Sequence, residues 1–127
     1  MIDYLHNAAI FVQDVDAAID FYVDTLGFEK TADIPMGESD RWVTVRPVGS
    51  VAALAIRPMG DAPGPRSKDQ GNSGISFVSK DLDKTYQELS AKGVAFDGAP
   101  QPMPWGGTAT FFRDPDGNSF FITTETE

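Results

Sequence analysis

The segment Gln13-Asp-Val-Asp-Ala-Ala-Ile-Asp-Phe-Tyr-Val-Asp-Thr-Leu-Gly-Phe28 is echoed by Ser79-Lys-Asp-Leu-Asp-Lys-Thr-Tyr-Gln-Glu-Leu-Ser-Ala-Lys-Gly-Val94. Aligning Asp14 with Asp81, Val15 with Leu82, Asp16 with Asp83 and, with one residue of slippage, Gly27 with Gly93 gives an offset of about half the 127 residues. Self-similarity on that scale suggests an internal duplication. Half a chain of this length cannot bury its own core, so the two copies are expected to pack together as one domain spanning residues 1–127.

Each copy has the same grammar. Residues 5–13 read as a strand that stops where Asp14 can cap a helix by accepting from free backbone N–H groups. Val15, Ala18, Ile19, Tyr22 and Leu26 then recur at helical spacing, and Gly27 is placed to end the helix in the left-handed conformation. In the second copy the strand is 74–78, Asp81 is the cap, Leu82, Tyr86 and Leu89 form the stripe, and Gly93 is the stop. Three extended segments follow each helix: 28–34, 41–47 and 51–57 in the first copy, and 95–97, 108–113 and 119–124 in the second. The last two are joined by Asp114-Pro-Asp-Gly-Asn118, a hairpin signal in which Pro presets the turn and Gly supplies positive φ. Module 1 is thus about 1–57 and module 2 about 74–127. The Pro/Gly-rich residues 58–73 between them read as a spacer in preference to a lid.

Composition closes off several function classes. Nineteen acidic against ten basic residues give a formal charge of −9, which opposes nucleic-acid binding because phosphates are repelled. Such a field favours cationic partners, although its commoner role is solubility. No apolar run approaches the roughly 20 residues of a membrane span, and nothing resembles a secretion signal. With no cysteine there is neither a disulfide framework nor a thiolate site. A cytoplasmic protein with no nucleic-acid or membrane partner is expected.

Asp14-Val-Asp, Phe21-Tyr22, Leu26-Gly27-Phe28, the half-chain repeat and Phe112-Arg-Asp-Pro-Asp-Gly-Asn118 together resemble the vicinal oxygen chelate superfamily. That superfamily includes glyoxalase I, extradiol dioxygenases, fosfomycin-inactivating enzymes and bleomycin-sequestering proteins. The resemblance implies an α+β fold of two paired βαβββ modules, with curled mixed sheets forming a cavity, and a homodimer in a chain this short. It leaves function open, because the scaffold hosts both catalysts and passive binders.

In enzymatic members, four His or Glu ligands come from the first strand and a later strand of each module. Carried over place by place, the resemblance puts these positions on Asn7, on a residue within 53–55, on Gly74 and on Phe121. His6 adjoins Asn7, but strand alternation keeps both from entering one cavity. A divalent transition metal needs three or four N, O or S donors, so the metal site reads as dismantled and no metal or other cofactor is expected. Apolar replacements suit a cavity that holds an organic molecule by burial.

The ligand-binding candidates are Asn7, Trp42, Trp105, Phe121 and Arg41. Trp42 and Trp105 offer indole faces for planar or cationic groups, with a structural cap in a Pro/Gly loop as the other reading of Trp105. Arg41 and Arg46 have opposite orientations on one strand, so at most one enters a cavity, where it would clamp an anion. His6 reads as a surface or hydrogen-bonded histidine, with a general base as the alternative. Asp14, Asp16, Asp81 and Asp83 read as helix-start residues in preference to paired catalytic carboxylates. The expectation is a small-molecule-binding protein of the glyoxalase/bleomycin-resistance type with no assignable catalytic residue. A metal-dependent lyase, isomerase or dioxygenase with non-standard ligands is the rival.

Overall fold

The computed structural model describes residues 1–62 and 71–125. Two compact units form, Met1–Ser67 and Lys68–Glu127. In the first, β1 (Asn7–Val12) leads into α1 (Val15–Ile19), a π-helical segment (Asp20–Thr25), β2 (Glu29–Pro35), β3 (Arg41–Arg46) and β4 (Ala53–Pro58), with a 3₁₀ turn at Met59–Asp61. The second runs β5 (Gly71–Ser79), α2 (Leu82–Ala91), β6 (Ala95–Phe96), β7 (Gln101–Pro102), β8 (Thr108–Arg113) and β9 (Asn118–Thr124).

Each unit builds one open sheet. The orders are β1-β4-β3-β2 and β5-β9-β8-β6, with β7 also paired to β8. β1 is parallel to β4 and β5 to β9, while the remaining pairs are antiparallel. This is the α+β class of paired βαβββ type expected from the sequence. A parallel first strand requires a crossover connection, which the helix supplies in each unit.

Local chemistry sets the element ends. The Asp14 carboxylate accepts from the Ala17 N–H at 3.2 Å, and Asp81 does the same for Lys84 at 3.2 Å. Gly27 and Gly93 follow the helices at φ 79° and 93°, where a Cβ is penalised. At the last hairpin the Asp114 carboxylate accepts from the backbone N–H groups of Asp116 and Asn118 and from the Asn118 side chain.

Two elements differ from the sequence reading. The first helix is α-helical only to Ile19; beyond it the Leu26 N–H donates to Phe21 O and the Phe28 N–H to Tyr22 O, a wider spacing than the α-helical register. β5 begins at Gly71, three residues before the expected Gly74, which sits at φ 77° inside a register shift between Asn72 and Ser76. Side chains supply bonds across that bulge: Asn72 accepts from the Gly74 N–H, and Ser73 donates to Ser119 O. Of the expected 58–73 connection, Pro58 ends β4, residues 59–61 form the 3₁₀ turn and 71–73 belong to β5; residues 63–70 lie outside the described residues.

The buried face of the first sheet carries Ile10, Ile56 and Val43 in one row and Leu54 beside Val45, packed with Ala18 and Tyr22. In the second sheet Phe120, Phe112 and Ile122 are buried with Leu82. Around them Phe77 lies 5.4 Å from Phe120, and Phe96 lies 4.9 Å from Tyr86 of α2.

Candidate functional site

Strand pleating assigns the opposite face of each sheet. In the first unit, register aligns Ala9, Ala55, Thr44 and Ala32 across four strands, a row of small side chains. On one side of that row Phe11 pairs with Arg57 and Ile34 with Trp42; on the other Asn7 pairs with Ala53 and Glu29 with Arg46. The Arg57 guanidinium lies 5.8 Å from the Trp42 ring centroid, a cation–π arrangement.

Arg57 is the electrostatic centre of this face. Its Nη2 donates to Asp40 at 2.9 Å and to Asp61 at 2.6 Å, and its Nη1 donates to Arg41 O at 2.9 Å. Its side chain is only 13% exposed. Hydrogen bonds from Arg57 and from the Arg41 backbone N–H hold Asp40 below the ordinary carboxylate range, and Asp40 and then Asp61 raise Arg57. Sequence reading missed this residue, because its partners lie 17 and 4 positions away.

Arg41 points the other way. It shares the parity of Val43, and its guanidinium bonds Asp16 of α1 at 2.8 Å and Asp33 at 3.0 and 3.1 Å. The clamp expected of it is thus occupied by carboxylates on the helix side of the sheet. Asp33 is lowered by Lys30 and then Arg41, and Arg41 is raised by Asp16 and then Asp33. Arg46 has the opposite parity and bonds Glu29 at 3.1 and 3.2 Å.

In the second unit, adjacent phenylalanines divide between the two faces. Phe112 and Phe120 enter the core, whereas Phe111 pairs with Phe121 on the helix-free face, ring centroids 5.2 Å apart. Trp105 approaches Phe121 edge-on at 6.3 Å and remains 51% exposed. The loop that carries it is closed by Gly106 N–H donating to Met103 O and Met103 N–H donating to Gly107 O. Trp105 and Phe121 are therefore brought together, with Phe111 as a partner the sequence reading did not select.

At the places where the family resemblance puts metal ligands, Asn7 offers an amide that donates to His6 Nδ1 at 2.9 Å. The His6 carbonyl also accepts from the Ala53 N–H at 2.9 Å, which continues the β1–β4 ladder one residue before Asn7. Ala53, Leu54 and Ala55 offer no donor, Gly74 has no side chain, and Phe121 offers a phenyl ring. Among the described residues no three His, Asp or Glu side chains cluster as a metal site, and no helix is long and apolar enough to cross a membrane.

Two units of strand, helix and further strands, βαβββ in the first and with the short extra β7 in the second, each an open sheet with first and last strands parallel, match the fold class of the glyoxalase and bleomycin-resistance proteins. The chain belongs to the Glyoxalase/Bleomycin resistance protein/Dioxygenase superfamily, whose family model matches residues 4–122. It is 43% identical to a superfamily member of known structure from Sphaerobacter thermophilus DSM 20745, at a TM-score of 0.87 with 98% of each chain covered. TnmS3, an antibiotic binding protein from Streptomyces sp. CB03234, is 33% identical with a TM-score of 0.83, again over 98% of each chain. The uncharacterized protein YetH of Bacillus subtilis (strain 168) is 35% identical, with 96% of this chain and 98% of YetH covered.

Proposed function

We propose that this protein binds a small organic molecule without transforming it, through aromatic side chains on the helix-free sheet faces, and that it has lost the metal site of its enzymatic relatives. The observation that carries the reading is the group Trp105, Phe121 and Phe111, where a large aromatic surface stays accessible around a residue matching a usual glutamate ligand place. An indole and two phenyl rings favour a flat, apolar ligand. One amide among alanine, leucine, glycine and phenylalanine does not fit a divalent cation, which needs several N, O or S donors. The 33% identity to an antibiotic binding protein supports the same reading. In the first unit, Trp42 and Asn7 are proposed as contacts in their own right, and the acidic charge favours a neutral or cationic ligand. The two units are proposed to descend from one duplicated module and to act as one domain, in a cytoplasmic homodimer.

The rival is a metal-dependent lyase, isomerase or dioxygenase with unusual ligands, and the His6–Asn7 contact is the feature that favours it. Chelator-treated protein melted with and without zinc, nickel, manganese or iron(II) separates the two. A metal at 100 times its dissociation constant would stabilise the fold by about 2.7 kcal/mol and raise the midpoint by roughly 5 °C or more. The binder reading expects no shift with any metal and saturable quenching of tryptophan fluorescence by the planar cation proflavine. A metal-induced shift followed by turnover of a thiol adduct or diol would overturn it.

A further inference from the structure

We infer that Thr124 is a positioning residue for Trp105: with Gly107 it forms a latch that fixes the indole against Phe121 and so preforms the aromatic surface for a flat ligand ring. The inference rests on the proposed binding function but is carried by its own geometry.

The loop from Met103 to Gly107 joins β7 to β8. The Gly106 N–H donates to Met103 O at 3.0 Å, Pro104 follows Met103, and Gly106 has φ 97°. That is a tight turn in which Pro presets one corner and glycine takes the left-handed position, leaving Trp105 at the corner between them. Closing the turn does not by itself orient the indole.

Thr124 supplies the missing constraint from β9. The last backbone pairing between β8 and β9 at this end is Ala109 with Thr123. One residue further, the Thr124 hydroxyl accepts from the Thr108 N–H at 3.0 Å and donates toward Thr108 O at 3.4 Å. The side chain thus takes the place of the next ladder bond and ties the start of β8 to β9. A Cβ built at Gly107 would collide with that hydroxyl and would lie 3.4 Å from Trp105 Nε1. The threonine hydroxyl and the indole edge therefore border the same space beside Gly107 without bonding each other. A residue without Cβ leaves that space open to both.

The test uses the full chain with Trp42→Phe, which leaves Trp105 the only tryptophan. In that background Thr124→Val, Thr124→Ser and Gly107→Ala are compared by acrylamide quenching and near-ultraviolet circular dichroism without ligand, and by proflavine affinity. Because Trp105 is already 51% exposed, its release raises the quenching constant by at most about twofold. Thr124→Val and Gly107→Ala should raise quenching and weaken proflavine by roughly two- to tenfold, as loss of one oriented ring contact predicts. Thr124→Ser should match the parent in both. Unchanged quenching in Thr124→Val, or Thr124→Ser as loose as Thr124→Val, overturns the latch. Loosened indole with unaltered proflavine affinity overturns its role in binding. If the chain with both tryptophans does not bind proflavine, the binding reading fails, while the quenching series still decides the latch.

Discussion

Phe120 and Phe121 are chemically identical neighbours on β9, and the pleat sends them to opposite faces. Phe120 is fully buried, with ring centroids 5.3 Å from Phe112 and 5.4 Å from Phe77. Truncating such a ring removes its transfer energy and leaves a cavity, about 3–5 kcal/mol for Phe→Ala. Phe121 is half-buried, and its neighbours Phe111 and Trp105 meet it edge-on. Loss of those contacts and of partial burial costs about 1–2 kcal/mol. At roughly 3–5 °C per kcal/mol for a domain of this size, Phe120→Ala should lower the melting midpoint by about 9–25 °C and Phe121→Ala by about 3–10 °C. Thermal melts followed by circular dichroism, with urea unfolding to check that the slope is unchanged, provide the assay. Phe120→Leu serves if Phe120→Ala does not fold. Equal destabilisation by the two alanine variants would refute the assignment of faces, and with it the aromatic surface around Trp105.

The helix caps give a second pair: Asp14→Ala and Asp81→Ala should each cost about 1 kcal/mol in urea unfolding, while Asp14→Asn and Asp81→Asn should cost less than about half of that. Acid should destabilise the first unit's ion pairs. Asp33 and Asp40 are lowered in the folded state, so their contribution is complete above the unfolded carboxylate value of 3.8 and is lost as pH falls through their lower folded values. Stability measured between pH 6 and pH 2 should therefore fall through and below that value, and the double variant Asp33→Asn, Asp40→Asn should flatten part of the dependence. Gly93→Ala, at φ 93° after α2, should lower stability by about 1–2 kcal/mol, measured by urea unfolding.

Short-range chemistry made much of the fold legible in the sequence. Aspartate caps, stop glycines and the Asp114–Asn118 turn depend on groups within four residues of one another, and those features form as the residue types require. β8 has the bounds its pattern predicts. The π-helical segment was not legible, because apolar spacing at Tyr22 and Leu26 is compatible with either helix width. β7 escaped detection because it is two residues long and exists only by pairing with β8. At the site, alternation required that Arg41 and Arg46 part, and that Phe111 part from Phe112, without saying which went inward. That choice is made by the helix: Asp16 of α1 claims Arg41, and Tyr86 of α2 packs on Phe96, beside Phe112.

The charge distribution sharpens what such a surface can accept. Arg41, Arg46, Arg57 and Arg113 each meet a carboxylate, and Arg41 and Arg57 each meet two. An anionic ligand approaching any of these guanidinium groups meets a carboxylate already held at 3.1 Å or less. It must also enter a field set by a net charge of −9. Both effects oppose it, and the second weakens with salt while the first does not disappear. The field does not oppose a neutral or cationic ring system. The same acidic composition that argues against polyanions thus acts a second time locally, by setting a carboxylate beside each of these four arginines.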